Sequence, residues 1–266
     1  MPLPPSSSLP GVELHLSEPF YDRAEHIGID LPGAQAMFTT RRGGFSRGPY
    51  ASLNLGRLTD DSPDAVRRNR AQLEARAGAR PAYIRQVHGT AVRLITGNGD
   101  IGVAPLPDGD VELLEADGQA TVVPGVAPMV LTADCLPIAV AGAGAVAMLH
   151  AGWRGLAGGI LAEGVRKLRE LGADGELRAA IGPGAGPCCY EVGEEVHAEF
   201  TTYGKGVRRG RNLDLKAIAR DQLSRAGVAA VHDVGLCTIC TDESLFFSHR
   251  RDHGVTGRQA GLAWLS

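Results

Sequence analysis

The sequence predicts a single domain of the α/β class. Three observations predict it. Apolar runs of strand length recur along the chain and end in loops that carry Asp, Cys or His. Segments of helical period alternate with those runs. No linker interrupts the interior of the 266 residues, so one core over 12–266 is expected behind a frayed tail at 1–11.

In chain order, Val12–Leu16 and Ile27–Asp30 read as short strands and Ala34–Thr39 as a better one. The last runs into Thr40-Arg41-Arg42-Gly43-Gly44. That is either an anion-binding corner, with glycines admitting the backbone and Arg offering a fork of donors, or a surface hairpin with solvated arginines. Gly48–Gly56 is a loop in which Asn54 can cap or contact a ligand. Ser62 and Pro63 supply N-cap and N1 chemistry for a helix to about Arg76, whose Arg67, Arg68 and Arg70 read as a solvated face. Ala82–Arg85 is a strand ending in Gln86-Val87-His88-Gly89, and Ala91–Ile95 resumes the sheet. Gly97–Pro107 is a Gly/Pro/Asp loop. Asp117, ahead of a strand at Gln119–Val123, caps, orients or is simply solvated.

The stretch Met129–Gly155 organises the rest. Met129–Thr132 reads as a buried strand stopping at Ala133-Asp134-Cys135, and Ala145–Leu149 as a second stopping at His150. Strand ends facing a loop combine a rigid scaffold with an open tip, which is where reactive side chains sit. Beyond His150 the chain turns through Ala151–Gly155 into a helix with Leu156, Ile160, Leu161, Val165, Leu168 and Leu171 on its buried face. Leu177–Ile181 is a strand leading into Gly182–Tyr190, whose glycines and prolines force a rigid irregular loop of the kind that walls a pocket. Glu194–Phe200 and Leu213–Ala226 are helices, the second with Asp214 near its start and Gly227 as its stop. Val231–Leu236 is a strand before Cys237-Thr238-Ile239-Cys240, and a last strand ends at Leu265.

Composition narrows the function. A net charge of −3 offers no general nucleic-acid or membrane surface. No apolar run reaches the ~18–20 residues of a membrane helix. The opening MPLPPSSSLPG has neither a basic residue nor an apolar core, so no secretory signal is expected. Five cysteines, an odd number, argue against a disulfide framework and for a reducing cytoplasm.

His88, Cys135 and His150 make a His/Cys/His set, and three such ligands leave a fourth zinc position open. Their wide spacings suit a site assembled from distant strand ends; the bland alternative is a reduced core cysteine and two unrelated histidines. Cys237-x-x-Cys240 has the spacing of half a zinc knuckle, but no second C-x-x-C exists. The vicinal Cys188-Cys189 is a poor geometric partner, so these four are expected as buried or loop cysteines. A multicopper site needs several His-x-His pairs, and the eight histidines contain none.

The blocks TTRRGGFSRGPYASLNLG, IRQVHGT, LTADCLPIAV, LHAGWRG, AAIGPGAGPCCYEVGEEV, GLCT and FFSHRRDHGVTGR resemble, in this order, the motifs of the laccase-domain purine nucleoside phosphorylase family, the YfiH-like proteins. The match runs from about Thr39 to Leu265. The resemblance implies a single α+β (α/β) domain of mixed β-sheets flanked by helices, the YfiH-like fold, and a zinc ion held by His88, Cys135 and His150, with copper a less favoured occupant. It implies phosphorolysis of purine nucleosides (adenosine, inosine, guanosine, methylthioadenosine) with inorganic phosphate, and adenosine deamination as a second activity. Cys135, His150 and Arg41 are the expected catalytic residues. Arg41 is expected to hold phosphate, with Arg250 next, and Asn54, Asp134 and Arg154 complete the expected substrate-binding set. Gln119 and His249 depart from the family pattern, and Cys240 is peculiar to this chain. Two other readings stand beside it: a cysteine hydrolase with Cys135 as nucleophile and His150 as base, and a factor that edits peptidoglycan precursors.

Overall fold

The computed structural model describes residues 14, 16–23, 25–97 and 113–266. The expected tail and most of the Gly97–Pro107 loop lie outside the described residues, as does most of the expected strand Val12–Leu16.

Two six-stranded sheets pack face to face. The first is built, in spatial order, from Tyr21–Asp22 (β1), His26–Leu31 (β2), Ala34–Thr39 (β3), Gln259–Leu265 (β14), Val126–Thr132 (β7) and Arg80–Ala82 (β4). The second runs Val228–Asp233 (β13), Leu177–Ile181 (β10), Leu136–Gly142 (β8), Ala145–Ala151 (β9), Gly118–Thr121 (β6) and Val92–Ile95 (β5). Arg208–Arg209 (β11) and Asn212–Leu213 (β12) form a separate small hairpin. Both large sheets mix parallel and antiparallel pairs, β10 with β13 and β5 with β6 being parallel. The expected mixed α+β class holds.

Period-2 alternation assigns each face. Along β8, Leu136, Ile138 and Val140 point to one core while Ala139 and Ala141 point to another; along β9, Ala147 and Leu149 oppose Val146 and Met148 in the same way. The first core is closed by helices Trp153–Gly158 (α2), Ile160–Glu170 (α3) and Leu215–Arg225 (α5). The second core lies between the sheets. Pro63–Ala77 (α1) covers the far face of the first sheet through Leu73, so the layers run helix, sheet, sheet, helix. Leu156, Ile160, Leu161 and Leu168 are fully buried, each contributing about 1.5–3 kcal/mol of apolar burial. A short helix, Glu194–Glu199 (α4), follows the Gly/Pro-rich loop.

The helix starts obey local chemistry. Ser62 accepts from the Ala65 amide at 3.4 Å and Asp214 from the Ala217 amide at 2.9 Å. Several expectations need correction. The segment after His150 is two helices, because Gly159 sits at φ +90° and breaks the run between α2 and α3. Strand β9 continues through Ala151, so His150 is the penultimate residue of a strand. Strand β4 begins two residues and ends three residues before the expected Ala82–Arg85, and β13 ends at Asp233 because Gly235 turns the chain at φ +74°. Strand β8 was not expected at all. Arg70 is buried, with Nε and Nη2 donating to the Leu55 carbonyl at 2.9 and 2.7 Å.

Candidate metal centre

His88, Cys135 and His150 converge, with one ligand atom from each lying within 4.8 Å of the others. They come from three elements: the loop after β4, the tight connection from β7 to β8, and the end of β9. The register that pairs Pro137 with His150 in antiparallel β8 and β9 brings Cys135 and His150 to one edge. His88 and Asp134 both occupy the left-handed region, at φ +61° and +95°, and such conformations persist where surrounding bonds fix them.

Asp117 fixes the first of these. Its carboxylate is fully buried and accepts from three successive amides: Val87 at 3.1 Å, His88 at 2.9 Å and Gly89 at 2.6 Å. The same Oδ1 lies 2.8 Å from His150 Nδ1. Burial pushes the Asp117 carboxyl up, but the bonds from His150 and the amides outweigh it and hold it below the usual carboxylate range. An ionised carboxylate only accepts, so Nδ1 carries the proton and Nε2 is the ring's remaining ligand atom. Of the three roles open to Asp117 in the sequence, the structure shows the orienting one, and its signal was an Asp-Gly step before a strand.

Burial of Cys135 favours the thiol, yet the neighbouring imidazoles of His150 and His88 pull it down to about 6. Burial of His150 likewise favours the neutral ring, yet the Cys135 sulfur and the Asp117 carboxylate hold it up at about 9. The rings of His88 and His150 meet edge to face, 4.9 Å between centroids. His150 is buried, Cys135 half-buried and His88 exposed, so the cluster opens to solvent on the His88 side.

The donor set fits a metal. Zinc bonds of about 2.0–2.3 Å put tetrahedral ligands roughly 3.3–3.8 Å apart, within the observed spread. Gly152 supplies the space: a Cβ there would stand 2.8 Å from Cys135 Sγ and 3.4 Å from His88 Cδ2. Its φ of −81° suits any residue, so this glycine is required for room.

Beside the cluster opens a cleft of about 580 Å³, lined by Trp153, Arg154, Tyr190, Glu191, Arg211 and Arg250. Arg154 stacks over Trp153 at 4.5 Å and Arg250 over Tyr190 at 5.2 Å. Tyr190 is pushed up to about 12, by burial first and then by the charge of Cys135. A second cavity, of about 310 Å³ between Tyr21, Arg76 and Trp264, lies against the first sheet and contains none of these residues.

The remaining expected residues sit around this centre in different ways. Asp134 is buried; its Oδ1 accepts from Thr238 Oγ1 and its Oδ2 from the Arg250 amide, both at 2.7 Å. Arg250 Nη1 donates to the Glu191 carbonyl at 2.6 Å. Arg41 gives Nε to the Ala51 carbonyl at 2.6 Å, Nη1 to Glu243 at 3.0 Å and Nη2 to Pro49 at 3.2 Å, and covers the Phe247 ring. Asn54 is fully buried, donating to Thr59 and Asp61 and accepting from the Gly56 and Arg258 amides. Arg258, not anticipated, is half-buried. Burial lowers its pKa, while Asp134 and Cys135 act electrostatically against that shift. Gln119 donates across the sheets to the Ala82 and Met129 carbonyls at 2.8 and 3.0 Å, which gives its polar amide a use in the core. His249 is exposed. Cys188, Cys189, Cys237 and Cys240, expected as buried or loop cysteines, form a second cluster within 4.8 Å.

The fold and this donor set define a two-sheet α+β protein with a His/Cys/His centre able to hold one metal ion. The chain belongs to the YfiH-like laccase-domain family: the family model described as multi-copper polyphenol oxidoreductase laccase matches residues 35–266. A purine nucleoside phosphorylase of Pseudomonas aeruginosa is 41% identical over 242 residues, covering 87% of this chain and 93% of that protein. The purine nucleoside phosphorylase YfiH of Escherichia coli is 36% identical over 244 residues, covering 88% and 94%. The crystal structure of YfiH from Bacillus licheniformis superposes with a TM-score of 0.86 at 31% identity, covering 94% of this chain and all of that one. YlmD from Geobacillus stearothermophilus superposes at 0.80 and 36% identity, covering 92% and 98%.

Proposed function

We propose that this chain is a zinc-dependent purine nucleoside phosphorylase with adenosine deamination as a second activity, acting in the cytoplasm. The observation that carries the reading is the His88/Cys135/His150 cluster beside a cleft with two aromatic–arginine pairs. The relatives that share this architecture are purine nucleoside phosphorylases by name. A purine is a flat π-system, which Trp153 and Tyr190 suit, and phosphate is an anion, which arginine forks suit.

Phosphorolysis joins a phosphate oxygen to ribose C1′ and breaks the C1′–N9 bond, the electron pair leaving with the purine. Arg250 and Arg154 hold the phosphate in this reading, with Arg258 on the side nearer Cys135. Arg41 and Asn54 act at one remove: their polar groups are committed to the loops that frame the site. Asp134 sets the Arg250 backbone. Asp117 keeps Nδ1 of His150 protonated and the ring aimed. His88, Cys135 and His150 would hold the zinc ion, which would supply Lewis-acid chemistry. The test is incubation of purified protein with adenosine and inosine, with and without phosphate, followed by product separation. Ribose 1-phosphate formed only with phosphate is expected; free base formed at equal rates without phosphate would reject phosphorolysis.

The thiolate–imidazolium pairing of Cys135 and His150 favours one other reading, a cysteine hydrolase. Alkylation separates the two. Slow reaction of Cys135 in holo protein, accelerated by a chelator, supports the zinc reading; rapid reaction in holo protein supports the hydrolase.

A further inference from the structure

We propose that Cys188, Cys189, Cys237 and Cys240 form a second metal site, a mononuclear zinc tetrathiolate that clips two loops at the edge of the cleft. Topology brings the four together. Strands β10 and β13 are parallel neighbours, so their C-terminal exits lie side by side. The exits keep pairing beyond the strands, with a parallel bridge between Gly184 and Cys237 and a bond from the Thr238 amide to the Gly184 carbonyl at 3.1 Å. One exit carries Cys188-Cys189 and the other Cys237-x-x-Cys240.

All four sulfurs lie within 4.8 Å of one another. Zinc–sulfur bonds of about 2.3 Å give a tetrahedral edge of roughly 3.8 Å. The Cys188–Cys240 separation of 3.4 Å is near that edge and far beyond a disulfide's ~2.05 Å. The surrounding backbone is arranged for anionic sulfur. The Gly186 amide donates to Cys237 Sγ at 3.2 Å, and a Cβ on Gly186 would press on Cys188 Sγ at 3.2 Å and Cys237 Sγ at 3.4 Å. A C-x-x-C turn with a backbone amide donating to sulfur is how zinc and iron sites present thiolates.

The clip shares no ligand with the His88/Cys135/His150 centre, and it adjoins the residues that shape it. Thr238, inside the C-x-x-C turn, donates to Asp134, and Cys189 precedes Tyr190 in the cleft wall. Two exposed thiols, Cys188 and Cys240, would otherwise stand open to oxidation beside that wall.

The test uses the full chain purified under reductant without chelator, as wild type, as His88→Ala/His150→Ala and as Cys237→Ser/Cys240→Ser. Zinc and iron are measured per chain, and each protein is titrated with cobalt(II). Relative to wild type, the cysteine variant is expected to lose one equivalent of zinc. Its thiolate-to-cobalt charge-transfer intensity is expected to fall to about a fifth, since one of five thiolates remains at an intact site. The histidine variant is expected to keep one zinc and a tetrathiolate cobalt spectrum, which decides the clip whatever the first centre binds. A histidine variant with neither zinc nor a tetrathiolate spectrum overturns the proposal, and iron at that equivalent overturns the zinc assignment. If the cysteine variant fails to fold, the cobalt titration of the histidine variant still gives the answer.

Discussion

The two clusters of this protein differ in what surrounds their sulfur. At His88/Cys135/His150 a buried carboxylate lies behind the ligands, the donors are unlike, and the His88 side is exposed. At Cys188/Cys189/Cys237/Cys240 the donors are alike, backbone amides replace the carboxylate, and the set spans two adjoining loops. Mixed donors with an open side allow chemistry at a metal, whereas four thiolates saturate one. The difference predicts opposite responses to substitution: activity at the first cluster, shape at the second.

The largest expected effect is at Cys135. Cys135→Ala should remove one zinc equivalent and lower phosphorolysis by more than the ~10–100-fold that loss of a ligand's hydrogen-bonding partner costs. Metal analysis beside kcat/KM checks this, and an active, zinc-replete variant would erase the contrast between the clusters. Asp117→Asn comes next. All three ligands remain, but the orienting charge on His150 is gone, so zinc affinity should drop about 10–100-fold in a chelator competition. Wild-type affinity in that variant would reduce Asp117 to a prop for the His88 loop.

Arginines sharpen the comparison at the cleft. Charge-assisted hydrogen bonds contribute about 1.5–3 kcal/mol. Arg250→Ala should therefore raise the phosphate KM about tenfold or more, with the nucleoside KM little moved. Arg41→Ala should act through the fold, lowering the melting temperature by breaking its three carbonyl bonds. A phosphate KM that responds to Arg41 alone would exchange these roles.

The smallest effect is at Asp252, which accepts from Arg251 Nε at 2.7 Å and Thr256 Oγ1 at 2.8 Å in the loop carrying Arg250. Burial raises its carboxyl, and the bonds from Arg251 and Thr256 bring it below the usual range. A depressed folded pKa stabilises the protein above the unfolded value of about 3.9, and that contribution fades as pH falls through the folded value. Asp252→Asn should cost about 1 kcal/mol at neutral pH. The gap from wild type should close under acid, as read by denaturant unfolding across pH.

Much of this was legible in the chain because the signals are local. Each ligand of the first centre stands where an apolar run meets a loop, and Ser62, Asp214 and Gly227 mark helix ends by their own chemistry. Strand β8 was hidden for the opposite reason. LPIAVAG begins beside a proline and is small and alanine-rich, and it is a strand because β10 and β9 flank it on both sides. Pro137 survives there with its carbonyl accepting from the Gly182 amide at 2.9 Å. Arg70 looked solvated because nothing in its helix reveals the Leu55 carbonyl. The four-cysteine cluster depends on β10 and β13 being neighbours, which no spacing along the chain encodes. Asp117 stood out only as an Asp-Gly step before a strand, and nothing nearby chose between orienting and solvated, since its partners are the amides of a loop about thirty residues away.

That carboxylate has a consequence for how the first centre fills. The turn that presents His88 and the ring plane of His150 are set by one fully buried side chain, through bonds that require folding and no ion. The three side chains are therefore expected to hold their arrangement without an ion, so that ion capture would leave little ordering to accomplish. Stripping the ion should shift stability only by mass action, as for any ligand of a finished fold, and reloading should proceed without refolding.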